Sequence, residues 1–203
     1  MKLEKELSDT LAELVGLGMG RAAEVLNAML DSHIALSVPT LRLVDIEELV
    51  SLFAQNASAS LSAVQMRYAG SMRGTVELIF TSGEAGRLVD CLMGETTVLE
   101  EGLDAIRAGT LCEIGNIVIN ALLGTLANQL GMHLEYTVPA YLEGAPTRLF
   151  AEADLSGQEM VLLAETDFRV ESRSIHGKIA IFFSLDSFQV LRDAIETYAA
   201  EPA

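Results

Sequence analysis

The chain has 203 residues, half of them hydrophobic, and carries a formal net charge of −16. That size can bury a substantial core, and such acidity excludes nucleic acid and anionic membrane surfaces, whose phosphates recruit Lys and Arg. Cys91 and Cys112 lack CxxC spacing and the three histidines are scattered, which excludes a Cys/His zinc set and reads the thiols as ordinary and reduced.

From Leu3 to about Leu30, apolar residues at 7, 11, 14, 22, 25 and 29 keep helical spacing and predict a long amphipathic helix. Gly16, Gly18 and Gly20 lie inside it, each costing about 1 kcal/mol relative to Ala, so close packing of another backbone element must compensate. IALSVP then predicts a short strand ending at Pro39, and DIEELVSLFA a short helix. SASLSAVQMRY and GTVELIFT flank Gly70-Ser71 and alternate as half-buried strands of a hairpin do. A helix from about Glu84 to Met93 closes this half, and MGETTVLEEGLD reads as a connection. A second long helix is predicted from Leu103 to Leu130, with apolar residues at 111, 114, 117, 118, 121, 122 and 126. LEYTVP follows as a short strand ending at Pro139, then MVLLAETDFRV and KIAIFFS as a second hairpin, then a helix from Asp186 to Ala199. Strands joined by hairpins without repeated βαβ crossovers point to an α+β fold with a largely antiparallel sheet. Apolar stretches are broken before the roughly 18 residues of a membrane span, and MKLEKELSDTLAEL lacks the basic start and apolar run of a signal peptide, so a soluble, cytoplasmic protein is expected.

The two halves are copies of each other. At one constant offset, Thr10, Leu11, Glu13, Leu26, His33, Val38 and Pro39 match Thr110, Leu111, Glu113, Leu126, His133, Val138 and Pro139. Further on, Gly74, Phe80, Leu88 and Asp90 match Gly177, Phe183, Leu191 and Asp193. A period this long is not that of a solenoid or propeller, so residues 1–203 are expected to form one domain of two repeats, about 1–95 and about 101–199, related by a pseudo-twofold axis.

Helical geometry sets Glu113, Asn116 and Asn120 on one polar strip of the second long helix, about 100° to 160° from the reference residue Ile114 in its core stripe. Glu113 and Asn116, three residues apart, can reach one external target. Such a strip by itself is an ordinary solvated face. Asn120 is read as a solvated residue of the strip, His33 and His133 as features of the helix-to-strand turn, and Cys112 as a small buried side chain. Pro39 and Pro139 are read as strand ends.

EIGN at 113–116, followed after 22 residues by Pro139, resembles the signature of the CheC/CheX chemotaxis phosphatases: Asp, Glu or Ser, three residues, Glu, two residues, Asn, 22 residues, Pro. Asp9, Glu13, Gly16 and Pro39 carry the same frame in the first half. The duplication and length resemble the CheC type in particular. That resemblance implies a pseudo-twofold CheC-like fold and hydrolysis of the aspartyl phosphate on a CheY-type response regulator. It further implies that Glu113 docks against the receiver and Asn116 orients the attacking water. The chain itself would bind no cofactor, the Mg2+ belonging to the partner receiver. Gly16 replaces the asparagine of the first motif, which implies a dead first site, and Gly109 stands where the second motif has Asp or Ser. The alternatives are a catalytically weak adaptor that binds a receiver or CheD, and a structural relative of the flagellar switch proteins.

Overall fold

The computed structural model describes residues 5–54, 60–94, 105–152, 161–171 and 175–200. The first half contributes α1 (Lys5–Leu30), β1 (Ile34–Leu36), β2 (Thr40–Val44), α2 (Ile46–Ala54), β3 (Leu61–Gly70), β4 (Gly74–Thr81) and α3 (Ser82–Met93). The second half repeats the series as α4 (Ala105–Gln129), β5 (Leu134–Tyr136), β6 (Ala140–Gly144), α5 (Pro146–Glu152), β7 (Val161–Val170), β8 (Ile175–Ser184) and α6 (Phe188–Ala200), with a 3-10 turn at Leu185–Ser187. The two long helices and both hairpins occupy the predicted stretches. The proposed connection, MGETTVLEEGLD, lies almost wholly outside the described residues.

The eight strands among the described residues form one antiparallel sheet, and the halves interleave within it. β4 and β8 pair at its centre, β3 flanks β4, and β7 flanks β8. The outer strands are exchanged: β1 and β2 of the first half pair with β7, while β5 and β6 of the second half pair with β3. Each half thus finishes the other half's sheet, and the result is the antiparallel α+β architecture expected. Glu77 pairs with Ala180 across β4 and β8. The equivalence that matches Gly74 with Gly177 also matches those two positions, so this pair straddles the pseudo-twofold axis.

Both faces of the central strands are covered, not one as the alternating pattern suggested. Val76, Leu78 and Phe80 share a buried cluster with α1, α3, α4 and α6, while Ile79, Ala180 and Phe182 share another with α2 and α5. In the second cluster Phe150 stacks edge-on against both Phe53 and Phe182, with ring centroids 5.0 and 5.8 Å apart. α4 is long and apolar enough to pass for a membrane span, but here its apolar face lies against α1 and the sheet.

The glycines of α1 do different jobs. A Cβ on Gly18 would lie 2.7 Å from Leu122 Cδ1 and 2.9 Å from the Leu122 carbonyl oxygen, so this glycine lets α1 and α4 approach backbone to side. Gly16 faces Pro39, and Gly20 faces open space. On α4, a Cβ at Gly115 would meet Val64 Cβ at 2.8 Å, which seats that helix on β3.

Glu77 is buried with no exposed surface, and Gln65 Nε2 donates to its Oε1 at 2.8 Å while Oε2 finds no partner among the described residues. Burial pushes its carboxyl up to about 7 against the weaker opposing pull of that hydrogen bond. Between the unfolded value near 4.5 and about 7, the folded chain holds a proton that the unfolded chain has released. Stability from this group is therefore complete below that window and falls as pH rises through it.

Two outcomes follow from this packing. Gly18→Ala should destabilise the protein by about 1–2 kcal/mol in urea titrations, because overpacking against Leu122 exceeds the helix-propensity gain, whereas Gly20→Ala should stabilise it by up to about 1 kcal/mol. Glu77→Gln keeps the acceptor for Gln65 and removes the titration. Its stability relative to wild type should improve by about 3 kcal/mol between pH 4.5 and pH 8, the change being confined to that interval.

Candidate functional site

The motif spacing has a geometric cause. From residue 16, α1 runs outward for fourteen residues, about 21 Å at the helical rise, and residues 33–39 return about 20 Å at the strand rise. The chain comes back to where it left, and a Cβ on Gly16 would sit 3.9 Å from Pro39 Cγ. Pro39 lies between β1 and β2, both paired to β7, so the proline ends one short strand as expected and a second, unpredicted one begins after it. With no N–H to give the ladder, it interrupts an edge, where such a gap is tolerated. Ser37 bridges the gap: its N–H donates to the Asp167 carbonyl at 2.9 Å, and its carbonyl accepts from Thr166 Oγ1 at 2.7 Å. Thr137 does the same before Pro139, its N–H donating to the Arg67 carbonyl at 3.0 Å.

On α4, Leu111, Ile114, Val118 and Leu122 are buried, and the strip beside them faces outward. Glu113 is exposed and makes no ion pair among the described residues, and Asn116, one turn on, is half-buried. Asn120 is also half-buried and is not merely solvated: its Nδ2 donates to Asn116 Oδ1 at 2.9 Å. Two side-chain amides four residues apart on one helix face were the available signal for this bond. Cys112 is half-buried beside β6. Burial, and next the neighbouring Glu113 charge, raise its thiol, with a backbone hydrogen bond from Tyr141 opposing them, so it remains a protonated thiol at neutral pH.

Gly109 is exposed with nothing within 4 Å of a Cβ placed on it, so the site has room for the larger residue the motif usually carries there. His33 and His133 are exposed, and their backbones do the work: the His33 carbonyl accepts from Glu171 N–H at 3.1 Å and the His133 carbonyl from Ser71 N–H at 3.0 Å. Gly70, at φ +121°, is required where the chain crosses His133.

The first-repeat surface copies this one without its amides. Asp9 and Glu13 are exposed on α1, and Gly16 and Gly20 hold the positions of Asn116 and Asn120. Apolar side chains stand exposed at equivalent places on both surfaces: Leu17 (48%) and Val38 (81%) on the first, Ile117 (38%) and Val138 (86%) on the second. A cleft of about 320 Å³ lies elsewhere, lined by residues that include Phe53, Ile79, Glu84, His176 and Lys178, and none of the motif residues borders it. Among the described residues, no three His, Cys, Asp or Glu side chains are grouped as metal ligands.

No family model matches the chain. It is 27% identical over 139 residues to the CheY-P phosphatase CheC of Bacillus subtilis, a match spanning 68% of this chain and 66% of that protein, just under two thirds of its length. It is 19% identical to a protein named CheC1 from Halobacterium salinarum, over 92% of this chain and 94% of that one. Among solved structures, Thermotoga maritima FliY has a TM-score of 0.79 at 21% identity, covering 98% of this chain and 100% of that one. CheX in the CheX-CheY-BeF3-Mg+2 complex from Borrelia burgdorferi has a TM-score of 0.57 at 18% identity, covering 84% and 97%. In its antiparallel fold and in the relatives that carry the CheC name, the chain is similar to the CheC/CheX-type chemotaxis proteins.

Proposed function

We propose that this protein is a phosphatase for the aspartyl phosphate of a CheY-type receiver, with one working site per chain, on α4. The observation that carries the reading is an exposed carboxylate and a held carboxamide one turn apart on the outward face of a helix whose other face is locked in the core. Glu113 docks the receiver, pairing with a basic group on it, and Asn116 reaches toward the phosphoryl group. Water attacks phosphorus in line, the bond from phosphorus to the receiver's carboxylate oxygen breaks, and inorganic phosphate and a free aspartate result. The transition state is loose and asks little of the nucleophile beyond position, which a neutral amide can supply without a general base. Mg2+ on the receiver would supply the charge neutralisation at the phosphoryl oxygens. That the Borrelia relative of this fold was solved in complex with CheY supports a receiver as partner.

A second reading has its own support. The first-repeat surface keeps Glu13, Leu17, Val38 and Pro39 but has no amide, so it is fit to hold a receiver without hydrolysing it.

The test follows phosphate loss from a phosphorylated CheY-type receiver with Mg2+. Wild type should accelerate the loss, and Asn116→Ala should reduce kcat on the order of a hundredfold, the usual cost of one positioned hydrogen-bonding group. Glu113→Ala should act chiefly through KM, and Glu13→Ala should stay close to wild type. Equal inactivation by Glu13→Ala and Asn116→Ala would overturn the single-site assignment, and a bound receiver whose phosphate lifetime is unchanged would leave the adaptor reading in its place.

A further inference from the structure

We infer that Asn120 is a positioning residue for Asn116, fixing which end of that carboxamide faces an incoming receiver; the inference rests on the phosphatase reading above. A side-chain amide turns about its last torsion between two broad, nearly equivalent orientations that exchange oxygen for nitrogen. The bond from Asn120 Nδ2 to Asn116 Oδ1, 2.9 Å long, selects one of them. It occupies one of the two lone pairs on Oδ1 and leaves both Nδ2 hydrogens without a partner among the described residues. Both side chains are half-buried, so water competes for this bond less than on an open helix face. Asn116 then presents an N–H to the attacking water, which accepts through one lone pair and keeps the other aimed at phosphorus. Asn120, a full turn further along α4, touches none of the reacting atoms.

Helix stability does not account for the pair. Asparagine is a poor helix former, and the propensity that two of them forfeit against alanine exceeds what one side-chain bond at this spacing returns. The other repeat supplies an internal control. There the two positions are Gly16 and Gly20, so both amides are absent together while the acid, the exposed apolar residues and the proline around them remain. The pair behaves as one unit, complete in one repeat and missing from the other. The first repeat also has room for it, because a Cβ at Gly16 makes only ordinary contact with Pro39 and one at Gly20 meets nothing.

The experiment uses the full chain, a receiver charged with a small-molecule phosphodonor, and Mg2+. Asn120→Ala should lower kcat about tenfold with KM within about twofold, and should add nothing to Asn116→Ala, since it acts only through that residue. Asn120→Asp offers acceptors alone, draws Asn116 Nδ2 toward itself, and should cost about as much as Asn116→Ala. In the Asn116→Ala background, Gly16→Asn with Gly20→Asn should restore several times more activity than Gly16→Asn alone. A readout without catalysis accompanies these: the heteronuclear NOE of the Asn116 side-chain amide should fall in Asn120→Ala in the absence of any receiver. An active wild type whose kcat ignores Asn120→Ala, or an Asn116 amide equally ordered without Asn120, overturns this role alone. A wild type that leaves the receiver's phosphate untouched overturns the phosphatase reading, and this role with it.

Discussion

The antiparallel pairing of β4 with β8 is the constraint from which the rest follows. It joins the two repeats on an axis through Glu77 and Ala180, and that axis fixes where every other repeated element must lie. Because the outer strands cross over, β1 and β2 can be satisfied only by β7, and β5 and β6 only by β3. Neither half has a complete sheet alone, so backbone pairing and apolar burial are both shared. The same symmetry lays α1 beside α4 on one face, with Gly18 against Leu122 at their crossing, and turns the outer strip of each helix to solvent. A helix held this firmly along its inner side makes a stiff mount for the polar residues on its outer side.

The repeated order of elements also allows two equivalent surfaces to differ. Each return from helix to proline is a matter of length, set by the rise of helix and strand, and in the first repeat it brings Pro39 beside Gly16. Having Gly16 and Gly20 in place of the two amides leaves the scaffold standing, because the buried apolar side chains of α1 lie on its other face. The cost is intrinsic helix stability, about 1 kcal/mol per glycine relative to alanine, and for Gly18 the tight crossing gives something back. At Gly16 and Gly20 an added Cβ would meet only Pro39 at 3.9 Å or nothing at all, so packing gives no such return there.

The long helices and the hairpins were legible because their signals are local: apolar residues at helical spacing, alternating strands, and a repeat that doubled each observation. The motif residues were legible for the same reason, since Glu113 and Asn116 need only helical geometry to share a face. What was hidden was non-local or short. Nothing in the sequence of IALSVP says that it pairs with a strand some 130 residues later, and its exchange is a property of the closed sheet. β2 and β6 follow a proline that looked like an end, while α5 is too brief for periodicity, although Pro146 at its first position is a helix-start signal that could have found it. The Asn120 bond lay in plain sight as two amides four residues apart, but an isolated helix face gives no reason to prefer a bond to solvent.

The row of residues through the axis shows why a fused pair can do what two identical subunits cannot. Across the sheet it reads Thr40, Glu165, Ala180, Glu77, Gln65, Ala140, with each residue of one half facing its repeat counterpart at the mirrored place. In an identical dimer a glutamate next to the axis would meet its own copy, and two buried carboxyls at that spacing could not both ionise. Here Ala180 occupies the counterpart position, which leaves Glu77 its bond from Gln65 alone among the described residues, while the second half's carboxylate sits one strand outward at Glu165, within 4.0 Å of both Arg42 and Lys178. One acid is kept inside and one is paired near solvent, an arrangement that exact symmetry forbids. The asymmetry at the centre of the sheet and the asymmetry between the two helix faces thus have one origin, the freedom of each copy to change without the other.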